Sequence, residues 1–261
     1  MKKPLILVTN DDGITAPGLR TLIGLMKDIG DVVVVAPDSP QSGMGHAITV
    51  DNTLYSSRVI VDKEKGAPDE FSCSGTPADC VKLALREILD RKPDLVVSGI
   101  NHGSNSSINV IYSGTMSAAI EAGIEGIPAI GFSLCDYSWN ADFTGAHKPI
   151  KKIVKEALQQ GIPKGTVLNV NIPKTNGETP RGIKVCRQAR ANWKEQFDKR
   201  RSPTGKEYYW LTGEFELLDK GGDTDEHALK NGYISVVPTQ FDLTAHHAIQ
   251  QISNWNFNEQ T

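Results

Sequence analysis

The sequence predicts an α/β domain in which helices cover both faces of a doubly wound, mostly parallel sheet. The first observation is the order of the patterns, because short β-rich runs alternate along the chain with longer segments of helical periodicity. The second is the composition of the runs. Residues 32–36 are four valines and an alanine, and strands that are buried on both faces of a parallel sheet have such continuous apolar sequences.

Each element is predicted from its own pattern. The predicted strands are rich in β-branched and other apolar residues, and they are residues 5–9, 32–36, 95–97, 129–132, 167–170 and 233–237. The predicted helices carry apolar residues three or four positions apart, and they are residues 19–29, 81–89, 116–122 and 150–158, followed by a last polar helix near the end of the chain. The polar stretch 49–70 has β-prone residues at 54–55 and 59–61 that are compatible with a hairpin.

A long hairpin is predicted beyond Gly182, where aromatic and charged residues become frequent. Ser202-Pro203-Thr204-Gly205 is a turn sequence between two extended segments. We expect a single domain spanning residues 1–261, with an excursion at about residues 183–237. Exposed aromatic side chains on such an arm favour contacts with a second copy of the chain, and an arm folded back on its own domain is the alternative.

The composition excludes several classes of protein. The net charge is −3, which gives no basic surface for a nucleic acid polymer or an anionic membrane. The first apolar run ends at Asn10, too early for a secretory signal, and no stretch approaches the roughly 20 apolar residues of a membrane span. The four cysteines form no C-x-x-C pair and have no accompanying histidine cluster, so we expect reduced thiols in a cytoplasmic protein.

Candidate functional residues follow the predicted strands, because ligands of open α/β sheets bind at the carboxyl ends of the strands. Asn10-Asp11-Asp12-Gly13 follows the first strand. Two adjacent carboxylates repel each other, and a hard divalent cation such as Mg²⁺ or Mn²⁺ relieves that repulsion. Taken alone, the same residues are also compatible with a solvated turn that caps a helix.

Further polar residues follow the next strands. Ser42 lies in a glycine-containing loop after residues 32–36, for which an ordinary surface loop is the alternative. Ser98 to Gly103 is predicted to be a loop that carries Asn101, a neutral oxygen ligand, and His102, a candidate acid or base, although a lone histidine is more often incidental. Two Ser-Gly-Thr tripeptides, at 74–76 and 113–115, open predicted helices. Free N–H groups at a helix start bind phosphate, although Ser and Thr at these positions are also common helix caps. Together these residues predict a metal facing a phosphate ester.

Several longer motifs resemble the SurE survival-protein family. They occur in that family's order, and they are Val8-Thr9-Asn10-Asp11-Asp12-Gly13, Val35-Ala36-Pro37-Asp38, Ser74-Gly75-Thr76-Pro77-Ala78-Asp79-Cys80-Val81, Ser98-Gly99-Ile100-Asn101 and Tyr112-Ser113-Gly114-Thr115. The hairpin and Gly232-Tyr233-Ile234-Ser235 extend the likeness to nearly the whole chain. The resemblance implies a Rossmann-like three-layer core and a dimer or tetramer that exchanges C-terminal elements.

The resemblance also implies a 5′-nucleotidase with broader activity on 3′-nucleotides and polyphosphate. One divalent cation per subunit is implied, with ligands at Asp11, Asp12, Ser42 and Asn101. Asp11, Asp12 and Asn101 become the candidate catalytic residues, and the candidate phosphate contacts are Ser113, Gly114, Thr115 and Asn10.

The chain departs from the family pattern at three positions. Ser107 stands where the family has a glycine, Asn109 where it has an aspartate, and Gln41 where a basic residue is usual. None of the three is an implied metal ligand, so we expect them to affect loop shape and substrate preference.

Three other functions are weighed against this one. A haloacid-dehalogenase phosphatase requires D-x-D-x-[TV] after the first strand, and neither frame, starting at Asn10 or at Asp11, fits it. A metal-dependent glycosyltransferase would use D-x-D instead of Asp11-Asp12. A non-catalytic nucleotide- or phosphate-binding module remains the alternative, although such a module has no need of paired carboxylates.

Overall fold

The computed structural model describes residues 3–61 and 66–257. Its strands are Leu5–Thr9 (β1), Asp31–Pro37 (β2), Ser56–Val59 (β3), Asp69–Cys73 (β4), Leu95–His102 (β5), Ala129–Leu134 (β6), Thr166–Ile172 (β7), Ile183–Val185 (β8), Ala191–Arg201 (β9), Glu207–Leu217 (β10) and Ile234–Gln240 (β11). Its α-helices are Pro17–Lys27 (α1), Pro77–Leu83 (α2), Gly114–Ile124 (α3), His147–Gln160 (α4), Asp225–Lys230 (α5) and Ile249–Ser253 (α6). A π-helical turn, Ala84–Ile88, continues α2, and 3₁₀ turns lie at Ser107–Tyr112, Thr144–Ala146 and His246–Ala248.

The central sheet has the strand order β3-β4-β2-β1-β5-β6-β7-β11-β8. The six strands from β4 to β7 are parallel, whereas β3 and β11 pair antiparallel with their inner neighbours. The chain winds outward in one direction from β1 and in the other direction from β5. A crevice therefore opens between the carboxyl ends of β1 and β5, and this switch point is where such sheets bind ligands.

Two hydrophobic cores, one on each face of the sheet, hold the helices against it. On one face, α1 and α4 bury Leu19, Leu22 and Ile150 against the sheet. On the other face, α2 and α3 bury Val81 and Met116. The predicted doubly wound fold with helices on both faces of a mostly parallel sheet is confirmed.

The predicted loop Ser98 to Gly103 is wrong for most of its length, because β5 continues through His102. A bulge shifts the register with β6 between Ser98 and Asn101, and the Gly99–Ile100 peptide bond in it is cis. Gly99 has a φ of +124° and lies so close to Phe132 that a Cβ would be 2.3 Å from the Phe132 carbonyl oxygen. Only glycine fits this backbone. Because a glycine within an apolar run usually indicates the end of a strand, the sequence predicts a loop here.

A hairpin begins in the polar stretch 49–70, but its strands are not the β-prone residues 54–55 and 59–61 that the sequence predicts. Its strands are β3 and β4, and β4 was not predicted, because its sequence Asp69-Glu70-Phe71-Ser72-Cys73 has no apolar run. The buried carboxylate of Glu70 is paired with Arg20 of α1 at 2.6 Å and 2.8 Å, which allows a charged residue to lie in a covered strand. Residues 62–65 lie outside the described part of the chain.

The predicted C-terminal hairpin is confirmed as β9 and β10, which pair antiparallel from Ala191↔Leu217 to Arg201↔Glu207. The turn is closed by Ser202, whose N–H donates to the Lys206 carbonyl at 2.9 Å. The last helix, α6, is only a short exposed segment. Within the described residues, no helix combines the length and the apolar composition needed to cross a membrane.

Candidate functional site

Two adjacent carboxylates lie at the switch point of the sheet. Asp11 and Asp12 directly follow β1, and β5, which pairs with β1, ends at Asn101 and His102. The parallel register brings these four residues to the carboxyl edge of the sheet, where ligands of such sheets bind. The His102 N–H donates to Asp12 Oδ2 at 3.3 Å, which joins the two strand ends.

Asp11 is the more enclosed of the two adjacent carboxylates. Its exposed fraction is 4%, and the Thr115 hydroxyl donates to its Oδ1 at 2.5 Å. The start of α3 packs against this carboxylate, because a Cβ on Gly114 would be 2.9 Å from Asp11 Oδ2. Burial raises the Asp11 pKa to about 6, although the Thr115 hydrogen bond lowers it, and the charge of Asp12 adds to the rise.

Asp12 is less buried and faces His102. Burial raises the Asp12 pKa above its ordinary value, and the nearby His102 offsets part of that rise. The His102 Nδ1 lies 3.7 Å from Asp12 Oδ2. Neither ring nitrogen of His102 has a hydrogen-bond partner among the described residues.

Aromatic rings enclose His102 from the loop after β6. The ring centroids of Trp139 and Phe143 lie 5.5 Å and 5.3 Å from that of His102. Sequence reasoning missed both residues. The signal that was available is a cluster of aromatic residues in an otherwise polar loop that follows a buried strand.

The other predicted metal ligands lie around the same edge. The Asn101 Nδ2 donates to the Gly103 carbonyl at 2.9 Å, which fixes its amide group. Ser42 is exposed and adjacent to Gln41, whose N–H donates to the Asp11 carbonyl at 2.7 Å. The structure therefore brings the Ser42 segment to the Asp11 backbone.

The predicted phosphate contacts lie at the start of α3 and at the end of β1. The Ser113 hydroxyl caps α3 by accepting a hydrogen bond from the Met116 N–H at 3.0 Å. The Thr115 hydroxyl donates its hydrogen bond to Asp11. The Asn10 Nδ2 donates to the Gly13 carbonyl at 3.0 Å, whereas its Oδ1 is buried without a hydrogen-bond partner among the described residues. The contact between Thr115 and Asp11 was not predicted from the sequence.

The donor set at this edge fits a hard divalent cation. Within residues 3–61 and 66–257, no three His, Cys, Asp or Glu side chains are grouped to hold a metal. A site here would therefore combine the two carboxylates with neutral oxygen donors such as Asn101 and Ser42, which Mg²⁺ and Mn²⁺ accept readily. A cation would also compensate the burial of the Asp11 carboxylate.

The three departures from the family pattern have local contacts of their own. Ser107 has a left-handed φ of +52°, and its hydroxyl donates to the Ala189 carbonyl at 2.9 Å. The Asn109 Oδ1 accepts the Trp193 indole N–H at 2.8 Å, which ties the base of the long hairpin to the turn before α3. The Gln41 amide group contacts the Ser39 carbonyl and hydroxyl, both at 3.4 Å.

Comparisons with known proteins show which family the chain resembles over nearly its whole length. A family profile described as Survival protein SurE matches residues 6–195. The chain is 69% identical to a 5′-nucleotidase SurE of Flavobacterium psychrophilum over 259 residues, which are 99% of this chain and 100% of that protein. It is 45% identical to a 5′-nucleotidase SurE of Bacteroides fragilis over 255 residues, which are 97% of this chain and 98% of that protein.

A solved structure is similar throughout. The crystal structure of the SurE protein of Aquifex aeolicus has a TM-score of 0.82 and 43% sequence identity, covering 96% of this chain and 98% of that one. The profile match spans more than half of the chain, and the relatives are similar over nearly their whole length. This chain belongs to the SurE survival-protein family.

Proposed function

We propose that this chain is a metal-dependent phosphatase that hydrolyses nucleoside 5′-monophosphates to a nucleoside and inorganic phosphate. The observation that carries the proposal is the pair of carboxylates at the switch point, with Asp11 buried against the start of α3. Relatives at 60–69% identity are named 5′-nucleotidase SurE. Nucleoside 3′-monophosphates and polyphosphate are further candidate substrates.

Membership of the family implies a divalent metal. We propose one Mg²⁺ or Mn²⁺ per subunit, held by Asp11, Asp12, Asn101 and Ser42. When bound, such a cation would polarise a phosphoryl oxygen and lower the pKa of a coordinated water.

The residues of the chain itself orient this site. Thr115 fixes the Asp11 carboxylate through its hydrogen bond, and the His102 N–H fixes that of Asp12. The N-terminal turn of α3, at Ser113 and Gly114, places the positive end of the helix dipole beside the carboxylates. The same helix end would favour the negative charge of a phosphate brought to this edge.

The contacts of Asp11 argue against the alternative of a non-catalytic binding module. A phosphate bound at this edge without a cation would meet two carboxylates, one of which is buried. Such an arrangement is costly for anion binding alone. It would become favourable if the carboxylates held a cation, and such a cation would supply the charge stabilisation that hydrolysis of a phosphate ester needs.

We further propose that the protein is a homodimer or homotetramer in the cytoplasm. The exposed apolar side chains of the hairpin support the oligomer, because Phe197 and Leu211 are 67% and 60% exposed. The four cysteines are all free, as in proteins of a reducing compartment.

The test is phosphate release from AMP and GMP by purified protein with Mn²⁺, with Mg²⁺ and with a chelator. Release that requires the metal is expected. Protein that binds metal but releases no phosphate from any nucleotide would contradict the proposal.

A further inference from the structure

We propose that Trp139, flanked by Tyr137, is the platform on which the nucleobase of the substrate stacks. This inference rests on the function proposed above and adds the part of the site that recognises the base. Both residues lie in the loop after β6, and β6 is the neighbour of β5 in the sheet. The loop therefore emerges at the same edge as Asp11 and Asp12.

Contacts place this loop directly beside the proposed phosphate site. The indole of Trp139 lies next to the His102 ring at 5.5 Å, with an angle of 46° between the planes. His102 in turn contacts Asp12 through its backbone N–H. The Tyr137 ring covers Gly103, because a Cβ there would be 2.4 Å from the Tyr137 Cε1.

The side chains of Trp139 and Tyr137 are exposed to solvent, unlike aromatic residues that belong to a hydrophobic core. Trp139 is 58% exposed and Tyr137 is 74% exposed, whereas Phe143, on the other side of His102, is only 6% exposed. Phe143 thus supports the imidazole from within the core. Trp139 contacts His102 and still presents much of its surface to solvent.

The loop that carries these side chains is fixed by hydrogen bonds. The Cys135 N–H donates to the Ile172 carbonyl at 2.8 Å, and the Ala141 N–H donates to the Ser138 carbonyl at 3.0 Å. The Ser138 N–H donates to Asp136 Oδ1 at 3.1 Å. A platform held in this way loses little conformational entropy when a flat ligand stacks on it.

The occupant that these features fit is the base of a nucleotide whose phosphate lies at Asp11 and Asp12. A flat exposed indole next to a charged, metal-suited edge corresponds to the two ends of such a molecule, one aromatic and one anionic. Stacking on an aromatic side chain tolerates every base, because each base has a π face. We therefore expect broad base tolerance with a preference for purines, which present the larger face.

The experiment compares AMP with ribose 5-phosphate, which has the same phosphate and sugar but no base. Trp139→Ala should lower kcat/KM for AMP on the order of tenfold, which corresponds to about 1.4 kcal/mol of lost stacking. The value for ribose 5-phosphate should stay within about twofold of the wild type, because the phosphate contacts are untouched. Trp139→Phe should recover most of the AMP activity.

The matched control is Trp210→Ala, since Trp210 lies on β10 and has the same exposed fraction of 58%. Its ratio of AMP to ribose 5-phosphate activity should equal that of the wild type. An equal loss on both substrates in Trp139→Ala, or no loss on either, would overturn the platform. Trp139→Ala could also form a smaller oligomer in size-exclusion chromatography while its ratio of AMP to ribose 5-phosphate activity stays unchanged. That result would show that Trp139 contacts a second copy of the chain, and it too would overturn the platform.

A second readout does not depend on activity. With Mg²⁺ present, the phosphonate analogue of AMP, in which a CH₂ group replaces the ester oxygen and prevents hydrolysis, should quench tryptophan fluorescence of the wild type more than the same analogue of ribose 5-phosphate does. The difference should disappear in Trp139→Phe. If the wild type hydrolyses neither substrate, the proposed function fails, while the fluorescence titration still tests the platform. Equal quenching of the wild type and Trp139→Phe would refute base stacking at Trp139.

Discussion

At the scale of single residues, Ser107 shows how one side chain tolerates a backbone made for glycine. Its φ of +52° lies in the left-handed region, which costs a residue with a Cβ about 1–2 kcal/mol. The Ser107 N–H donates to Asp225 Oδ2 at 2.8 Å and its hydroxyl to the Ala189 carbonyl at 2.9 Å. These bonds offset the cost that the family's glycine avoids.

Two substitutions at this position separate the two effects. Ser107→Ala keeps the strained backbone and loses the hydroxyl, so the free energy of unfolding should fall by about 1 kcal/mol. Ser107→Gly loses the same hydrogen bond but relieves the strain, so it should be more stable than Ser107→Ala. Urea unfolding of the three proteins measures the order, and an alanine variant at least as stable as the glycine variant would contradict this account.

Asp11 is the residue on which activity should depend most. Asp11→Asn should lose at least about 10²-fold in kcat, as when a preorganised electrostatic group is removed. The control is Asp28→Asn, because Asp28 caps the far end of α1. A near-normal rate for Asp11→Asn with AMP and Mn²⁺ would remove Asp11 from the site.

The same substitution, Asp11→Asn, should increase the stability of the metal-free chain although it lowers the activity. A buried carboxylate beside a second one is unfavourable without a cation, so Asp11→Asn should raise the melting temperature measured in chelator. Added Mn²⁺ should stabilise the wild type more than the variant. Equal metal-induced shifts for the two proteins would mean that the cation is bound elsewhere.

At the scale of elements, a buried glutamate fastens the loop that carries Ser42. Glu121 of α3 accepts a hydrogen bond from Lys82 of α2 at 2.6 Å, and its Oε2 lies 2.9 Å from His46 Nε2 in that loop. Burial raises the Glu121 pKa, but the bonds to His46 and Lys82 outweigh burial, and the net shift is downward. One carboxylate thus links two helices and the Ser42 loop.

This arrangement predicts a pH dependence of stability. A carboxylate with a lowered folded-state pKa stabilises the fold above its ordinary pKa, and the contribution disappears as the pH falls through the lower value. Glu121→Gln should therefore cost about 1 kcal/mol at pH 7, a modest value because Lys82 and His46 are partly exposed. The difference from the wild type should shrink as the pH falls below the ordinary glutamate pKa of about 4.3, and it should vanish only below the lowered pKa of the folded state.

The control is Glu125→Gln at the end of the same helix, whose partner Arg86 is 66% exposed. Its cost should be smaller at every pH, since exposed ion pairs contribute little. Chemical denaturation at a series of pH values measures both variants. A cost for Glu121→Gln that is as large at low pH as at pH 7 would show that packing is responsible for it.

At the scale of the whole molecule, the stability of the long hairpin is not explained by contacts within one chain. An isolated two-stranded hairpin is only marginally stable in water. Phe197 and Leu211 are directly opposite each other on β9 and β10, and both are exposed. We therefore expect a partner copy to cover this pair.

The prediction concerns the oligomeric state. The wild type should elute as a dimer or tetramer in size-exclusion chromatography with light scattering. Replacing the pair by Phe197→Lys and Leu211→Glu keeps a favourable cross-strand pair and removes the apolar surface, so a smaller species is expected. A monomeric wild type, or a variant of unchanged size, would refute the role of this pair.

How much the sequence predicted depends on the range of the interactions. The buried strands and the carboxylates after β1 were predictable, because a run such as Val32 to Ala36 and the motif at Asp11 are local patterns. β4 was missed, because the ion pair that admits Glu70 into a strand comes from Arg20, 50 residues away.

The sequence by itself determined the buried central strands, the helices that cover them and the polar residues that follow those strands, since hydrophobic periodicity and turn residues act over a few positions. Only the tertiary structure decided how those residues meet. Thr115 holds Asp11 across 104 residues, and the loop with Trp139 closes over His102. Such contacts depend on how distant segments pack around the sheet, and side-chain packing leaves no periodic signal in the chain.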